Sequence, residues 1–354
     1  MAAAHKVGLV EFKSADRDFW KRYHEYRRLR QNESRPGDPL RPDDLEERLL
    51  KRDSPFDIHH HYEIAEDGRL VSWLSGSTSK PGTPGHESNK HLFWAYIYVR
   101  PDARRRGIGS SWLPLLLELM DEHGCSVAGL AAEAAPAHAF LRWMGAAPKL
   151  TGAENRLKLA DVDWKMVDRW ISEGPKRSPH TKLEIYEGPL PEAMWEDYAP
   201  QLSSLLNTIP FEDMDFGEIV LTPDHMRESY ARLEIGKEQL FTILTREPNG
   251  VISAITDVSL APHRPTVIEQ RFTGVRPDSR GRGLGKWVKA AMLRHVHELH
   301  PEAQWVTTGN AGSNAPMLAI NKKLGFREFR PETEYQIGRD GLAVRIGQLR
   351  RSER

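Results

Sequence analysis

Two stretches of this chain have the residue types and spacing that hold an anion. Residues 99–109 read VRPDARRRGIG and residues 275–285 read VRPDSRGRGLG, with eight of eleven positions identical and one further Ile/Leu pair. In the second stretch Gly281, Gly283 and Gly285 let the backbone approach a ligand closely, and Arg280 and Arg282 add positive charge. A strand that turns through such a loop into a helix presents unpaired backbone N–H groups at the helix N-terminus, and that geometry binds phosphate. The plain alternative is a tight turn with solvated arginines. Two copies in matching contexts favour the anion site.

The loop chemistry excludes two nucleotide folds. A Walker A loop needs Gly, four residues, then Gly-Lys-Ser/Thr. Here Arg280 takes the first Gly position, and Lys286 is followed by Trp287. A dinucleotide fold puts Gly-x-Gly-x-x-Gly near its start, whereas this motif follows about five elements that include hairpin signals.

The elements that position the loops repeat in order. The copies lie 176 residues apart in a chain of 354. Solenoid repeats run about 20–50 residues, so this offset indicates a duplicated domain. In the second half, KLEIYEG (182–188) reads as a strand and 190–206 and 223–236 as helices. QLFTILTRE (239–247) and VISAITDVSL (251–260) alternate apolar and polar residues around Pro248-Asn249-Gly250, a hairpin pattern. A strand at 266–275 leads into the glycine loop, followed by a helix over 286–300, a strand at 304–310 and a helix at 316–326 that stops at Gly325. The first half follows the same plan: a strand (6–12), helices (16–31, 42–52), a hairpin (58–65, 69–75), a strand (91–99), a helix (108–123), a strand (126–132) and a helix ending at Gly145. Pro114 is expected to distort the first copy's helix. Ser75–Lys90, rich in Ser, Gly and Pro, reads as a mobile loop. The expected domains are 1–165 and 181–354, joined by a linker at 166–180 that carries two prolines and a glycine in SEGPKRSPH (172–180).

Both halves resemble GCN5-related N-acetyltransferase (GNAT) domains. The likeness rests on VRPDSRGRGLG (275–285) and NAGSNAPMLAINKKLGF (310–326), with reduced counterparts VRPDARRRGIG (99–109) and AHAFLRWMGA (137–146). The tandem arrangement resembles mycothiol synthase-like two-domain acetyltransferases. The resemblance implies an α/β fold class: two tandem domains, each a mixed, mostly antiparallel sheet flanked by helices. It implies acetyl-CoA as co-substrate, no metal, and transfer of an acetyl or short acyl group to a primary amine of a small molecule. The expected cofactor-binding residues are Thr273, Val275 and Arg276 along the strand, Arg280, Gly281, Arg282, Gly283, Leu284, Gly285 and Lys286 in the loop, and Asn310 and Asn314 beyond it. In the first copy they are Val99, Arg104, Arg106, Gly107 and Gly109.

The resemblance also assigns roles. Asn314 matches the family's cofactor-contacting Asn, and aligning Gly145 with Gly325 puts Ala134 and Leu141 opposite Asn314 and Asn321. The second half is therefore the expected catalytic copy. Asn321 stands where many members have a Tyr general acid, and an amide has no proton to give at neutral pH. Glu269, on the strand before the loop, is the expected general base, with Asp257 in the hairpin as a second candidate. A strand N–H near Val275 would polarise the thioester carbonyl. Glu212, Asp213, Asp215 and Glu218, between the first two helices, are expected to receive a cationic amine. The rival reading is a non-catalytic acyl-CoA-binding or scaffold protein.

Composition bounds the remainder. Lys+Arg and Asp+Glu both number 50, which argues against a nucleic-acid or anionic-membrane binder. Cys125 is alone, so no disulfide or Cys-rich zinc site forms. No apolar run approaches the ~18 residues of a membrane span, and Glu11 interrupts the N-terminus too soon for a signal peptide. The expectation is a cytoplasmic protein, either a monomer with an internal pseudo-dimer or a homodimer. His59-His60-His61 alternates across a strand and lacks acid or Cys ligands at suitable spacing, so a polar strand face is the better reading.

Overall fold

The computed structural model describes residues 5–352. The first half of the chain forms β1 (Val7–Leu9), α1 (Arg17–Ser34), α2 (Asp43–Leu50), β2 (Asp57–Glu66), β3 (Arg69–Ser79) and α3 (His86–Asn89). It continues with β4 (Leu92–Val99), α4 (Ile108–Ser111), α5 (Leu113–Glu122), β5 (Val127–Ala132), α6 (Ala135–Met144) and β6 (Ala147–Lys158). Next come α7 (Trp164–Arg177), β7 (Lys182–Glu187), α8 (Trp195–Leu206), α9 (Pro223–Gly236), β8 (Gln239–Arg246) and β9 (Ile252–Leu260). The chain closes with β10 (Val267–Val275), α10 (Leu284–Leu299), β11 (Trp305–Ala311), α11 (Ala315–Leu324), β12 (Arg327–Gly338) and α12 (Arg339–Ser352).

Two compact units result. Unit 1 takes the chain up to Leu150, residues 213–218, and the chain from Glu332 onward; unit 2 takes 151–212 and 219–331. The strand order is β1-β2-β3-β4-β5-β12 in unit 1 and β7-β8-β9-β10-β11-β6 in unit 2. Each unit's last strand thus comes mostly from the opposite half of the sequence. Thr333–Gly338 pair antiparallel with Val127–Ala132, and Gly152–Lys158 pair antiparallel with Trp305–Ala311. Residues 166–180, read from sequence as a linker, lie largely in α7, whose Val167 and Trp170 are buried in unit 2. Ser75–Ser79, read as part of a loop, continue β3.

Each sheet is covered on both faces. In unit 1 an aromatic cluster of Phe12, Phe19, Trp20, Tyr23, Tyr26 and Trp73 sits under α1, and a larger aliphatic core lies beneath α4, α5 and α12. In unit 2, Trp195, Tyr198 and Tyr230 of α8 and α9 cover one face, and α7 and α10 cover the other. Cys125 is buried, and burial raises its thiol pKa. Among the described residues no helix is long and apolar enough to cross a membrane, and no three His, Cys, Asp or Glu side chains converge as metal ligands.

Candidate active site

The glycine loops have one backbone conformation in both copies. Gly281 and Gly283 hold φ of 81° and 83°; Arg105 and Gly107 hold 63° and 84° at the matching positions. Gly283 and Gly107 are the N-cap residues of α10 and α4, and neither helix start has a side-chain cap. The first N–H groups of each helix therefore lack an intrahelical acceptor. Only glycine takes positive φ without strain. Arg105→Gly is accordingly expected to stabilise the chain by about 0.5–1 kcal/mol, read as a higher urea midpoint. A lower midpoint would show that this side chain makes contacts worth more than its strain.

The arginines differ in availability. Arg282 is held by Glu247 at 2.9 Å, by Thr181 Oγ1 at 2.5 Å and by Ser178 Oγ at 3.2 Å. Arg276 pairs with Asp278 at 3.3 Å, whereas Arg280 is exposed. Lys286 stands 5.5 Å from the Trp170 ring centroid, in a recess that also has Arg177 and Gly283 in its wall. In the first copy, Arg104 is tied to the Val99 carbonyl and Glu33, and Arg106 to Glu66. The first copy's helix breaks between α4 and α5 at Trp112, just before Pro114, as the proline predicts.

Beside each loop two parallel strands part. Val267–Glu269 pair with Trp305–Thr307, and the pairing then stops although β10 and β11 run on to Val275 and Ala311. In unit 1, Leu92–Trp94 pair with Val127–Gly129 and then separate likewise. One difference follows. The β10–β9 register slips between Gln270 and Phe272, which leaves Arg271 as a bulge. The matching β4–β3 pairing has no slip.

The bulge gathers the chemistry of unit 2. Asp257 lies opposite Phe272, whose backbone N–H favours the ionised carboxylate. Its Oδ1 is buried without a hydrogen-bond partner, and burial raises its pKa to about 6 against the opposing pull of Arg271. Tyr198 and Tyr230 are near enough to feel its charge; both are buried and stay protonated at neutral pH, Tyr230 being pushed up to about 12. In unit 1, Ser75 lies opposite Tyr96, so a hydroxyl replaces the carboxylate. Glu269, the base expected from sequence, is exposed at the last paired position of β10.

The remaining expected residues are placed as follows. Thr273 Oγ1 contacts Thr256 Oγ1 at 2.8 Å. Leu284 and Gly285 are buried in the first turn of α10. Asn314 caps α11, accepting the Met317 N–H at 3.4 Å, where Ala134 gives no such cap. Asn321 is 2 % exposed and donates to Asn310 Oδ1 at 2.7 Å, so it ties α11 to β11. The four acids of the 212–218 segment do not converge. Glu212, at φ 50°, accepts the Thr151 N–H in unit 2. Asp215 belongs to unit 1, where it contacts His91 at 2.9 Å and its backbone bonds to Gln336. Asp213 and Glu218 also lie in unit 1. Sequence reasoning missed Gln270 and Lys289 as site-shaping residues; a lone Lys inside an apolar helix stripe, where the first copy has Leu113, was the available signal.

Comparison with known proteins agrees with this layout. Residues 20–146 match the family model "Acetyltransferase (GNAT) family". A mycothiol acetyltransferase of Saccharomonospora viridis is 40% identical over 70 residues, which span 20% of this chain and 22% of that protein. A tandem GNAT protein from the clavulanic acid biosynthesis pathway superposes with a TM-score of 0.69 at 22% identity, covering 94% of this chain and 98% of the other. A GCN5-related N-acetyltransferase from Sphaerobacter thermophilus gives a TM-score of 0.61 at 11% identity, covering 95% and 96%. At these identities the two structures speak to the fold.

Proposed function

We propose that this chain, whose residues 20–146 match the GNAT family model and whose fold superposes on a tandem GNAT protein, moves an acetyl or short acyl group from acyl-CoA to a primary amine of a small molecule. Unit 2 is the catalytic copy of the duplicated domain. The observation that carries this reading is Asp257, a carboxylate with a pKa near 6 set against the bulge where β10 leaves β11.

The residues fit the donor. Unsatisfied N–H groups of Leu284, Gly285 and Lys286 at the start of α10, with no Cβ at Gly281 and Gly283, suit a pyrophosphate. Arg280 and Lys286 add charge, and the Thr273–Arg276 strand, with Asn310 and Asn314 opposite, would flank the pantetheine. Asp257 then takes the proton of the incoming ammonium, so the free amine nitrogen attacks the thioester carbonyl carbon. The C–S bond breaks as the amide C–N bond forms, and the nitrogen's second proton passes to the departing sulfur, so CoA leaves as the free thiol. Glu269, at the exposed end, draws the cationic amine inward. Asn321 acts by holding Asn310 rather than as an acid. Unit 1 has no equivalent of Asp257, and its Arg104 and Arg106 are taken up by Glu33 and Glu66; it serves as the supporting copy. The setting is cytoplasmic.

The test is release of free CoA thiol from acetyl-CoA across a panel of primary amines. Thiol and acetylated amine should appear in equal amounts. Tight acetyl-CoA binding without turnover on any amine would favour the non-catalytic acyl-CoA-binding protein instead.

A further inference from the structure

The apolar core of unit 2 contains a lysine. Lys289, on the second turn of α10, is 4 % exposed and faces Val258, Ile268, Val306, Leu324 and Phe326. Its Nζ lies 5.4 Å from the Phe326 ring centroid and donates to Gln270 Oε1 at 3.2 Å. Burial alone lowers its pKa to about 7, with no carboxylate contributing. The corresponding position in unit 1 is Leu113, fully buried. An amine in a core without an ionic partner is destabilising, and the other copy shows that leucine serves for packing. The lysine is therefore kept for something else.

Gln270 is what the lysine holds. A glutamine amide has an accepting end and a donating end. With its oxygen on Lys289, its nitrogen donates to Thr256 Oγ1 at 3.0 Å, to the Asp257 carbonyl at 2.7 Å and to the Phe272 carbonyl at 2.9 Å. Those groups frame the bulge, and the register across it sets Asp257 opposite Phe272. Unit 1 lacks every part of this arrangement together: its strand is straight, Ala95 lies opposite Gly76 where Gln270 lies opposite Val258, Ser75 replaces Asp257 and Leu113 replaces Lys289.

The geometry points to Lys289 as a positioning residue: through Gln270 it fixes the β10 bulge, and with it the Asp257 carboxylate. Without a donor at position 289 the Gln270 oxygen is left buried and unpaired, so the side chain shifts to find a partner and loosens its hold on the bulge. The kinetic consequence rests on the acyltransferase reading; the structural one does not.

Lys289→Met in the full chain keeps an unbranched, flexible side chain one atom shorter and removes the donor. Backbone amide exchange at Arg271–Thr273 should quicken about tenfold, with the thermal midpoint equal or higher and the Kd for acetyl-CoA within about threefold. Turnover should fall about tenfold to a hundredfold with KM for acetyl-CoA unchanged. Unaltered exchange at the bulge would overturn the inference. So would a lower midpoint with acetyl-CoA binding and turnover lost in proportion, which marks a packing role. If the unaltered chain acylates no amine, the acyltransferase reading alone falls, and the exchange measurement still decides the role of Lys289.

Discussion

Asp257→Asn is expected to lower kcat/KM by about 10²- to 10⁴-fold for every amine accepted, the range that removal of a general base produces. Folding should not suffer. The ordinary aspartate pKa is 3.8, and in the folded chain it rises to about 6, because burial opposes the charge more than Arg271 and the Phe272 N–H favour it. Between those pH values the folded state keeps a proton that the unfolded state has released. Stability therefore declines as pH rises through this window and stays reduced above it. At about 1.4 kcal/mol per pKa unit, the ionised carboxylate costs on the order of 3 kcal/mol at pH 8. Asparagine has nearly the same shape and cannot ionise, so the variant should melt higher than the parent at pH 8. The difference should fade below about pH 4, where both forms are neutral. The parent's kcat/KM should climb with pH to a plateau above about 6. A variant that keeps more than a tenth of the parent's turnover would remove Asp257 from the mechanism and return Glu269 to first place.

Gly283→Asp should weaken acetyl-CoA binding at unit 2 by about 10³-fold, roughly 4 kcal/mol. Two effects combine. The residue sits at φ 83°, where a side chain brings strain of about 1–2 kcal/mol. A new carboxylate at the N-cap would also occupy the N–H groups meant for the pyrophosphate and repel its charge. Aspartate is a favoured N-cap residue, so α10 itself should persist, visible as unchanged far-ultraviolet circular dichroism. The matching Gly107→Asp change in unit 1 serves as the control and should leave turnover intact. Calorimetry that finds the same number and strength of acetyl-CoA sites in Gly283→Asp would place the pyrophosphate elsewhere.

The legible part of this protein is local. A 176-residue offset between two glycine loops revealed the duplication, and both loops turn through positive φ, at 105 and 107 and at 281 and 283. Period-two and helical patterns located most elements, because side-chain direction alternates in a strand and recurs every 3.6 residues in a helix. Two strands escaped. Residues 147–158 (APKLTGAENRLK) and 327–338 (REFRPETEYQIG) are charged and lack sustained alternation. Only Tyr335 and Ile337, or Leu157 with Leu159, hint at a buried side. Pro175 and Gly174 suggested a linker where α7 in fact runs, since a proline in the last turn of a helix ends it without preventing it.

The site was less legible, for a different reason. Glu269 and Asp257 are both acids on neighbouring strands, and nothing in their spacing ranks them. The bulge does so, by setting Phe272 opposite Asp257, whose Oδ1 is buried, while Glu269 stays exposed. The four acids at 212–218 look like one cluster in sequence, yet the fold divides them between units. Sequence alone determined the duplication, the element order and the positive-φ glycine loops, because each rests on residues near one another in the chain. Tertiary structure decided which half supplies each closing strand, which carboxylate is desolvated and what Lys289 holds. Those outcomes depend on pairing and burial between residues far apart in the chain, where register and exclusion of water set the chemistry.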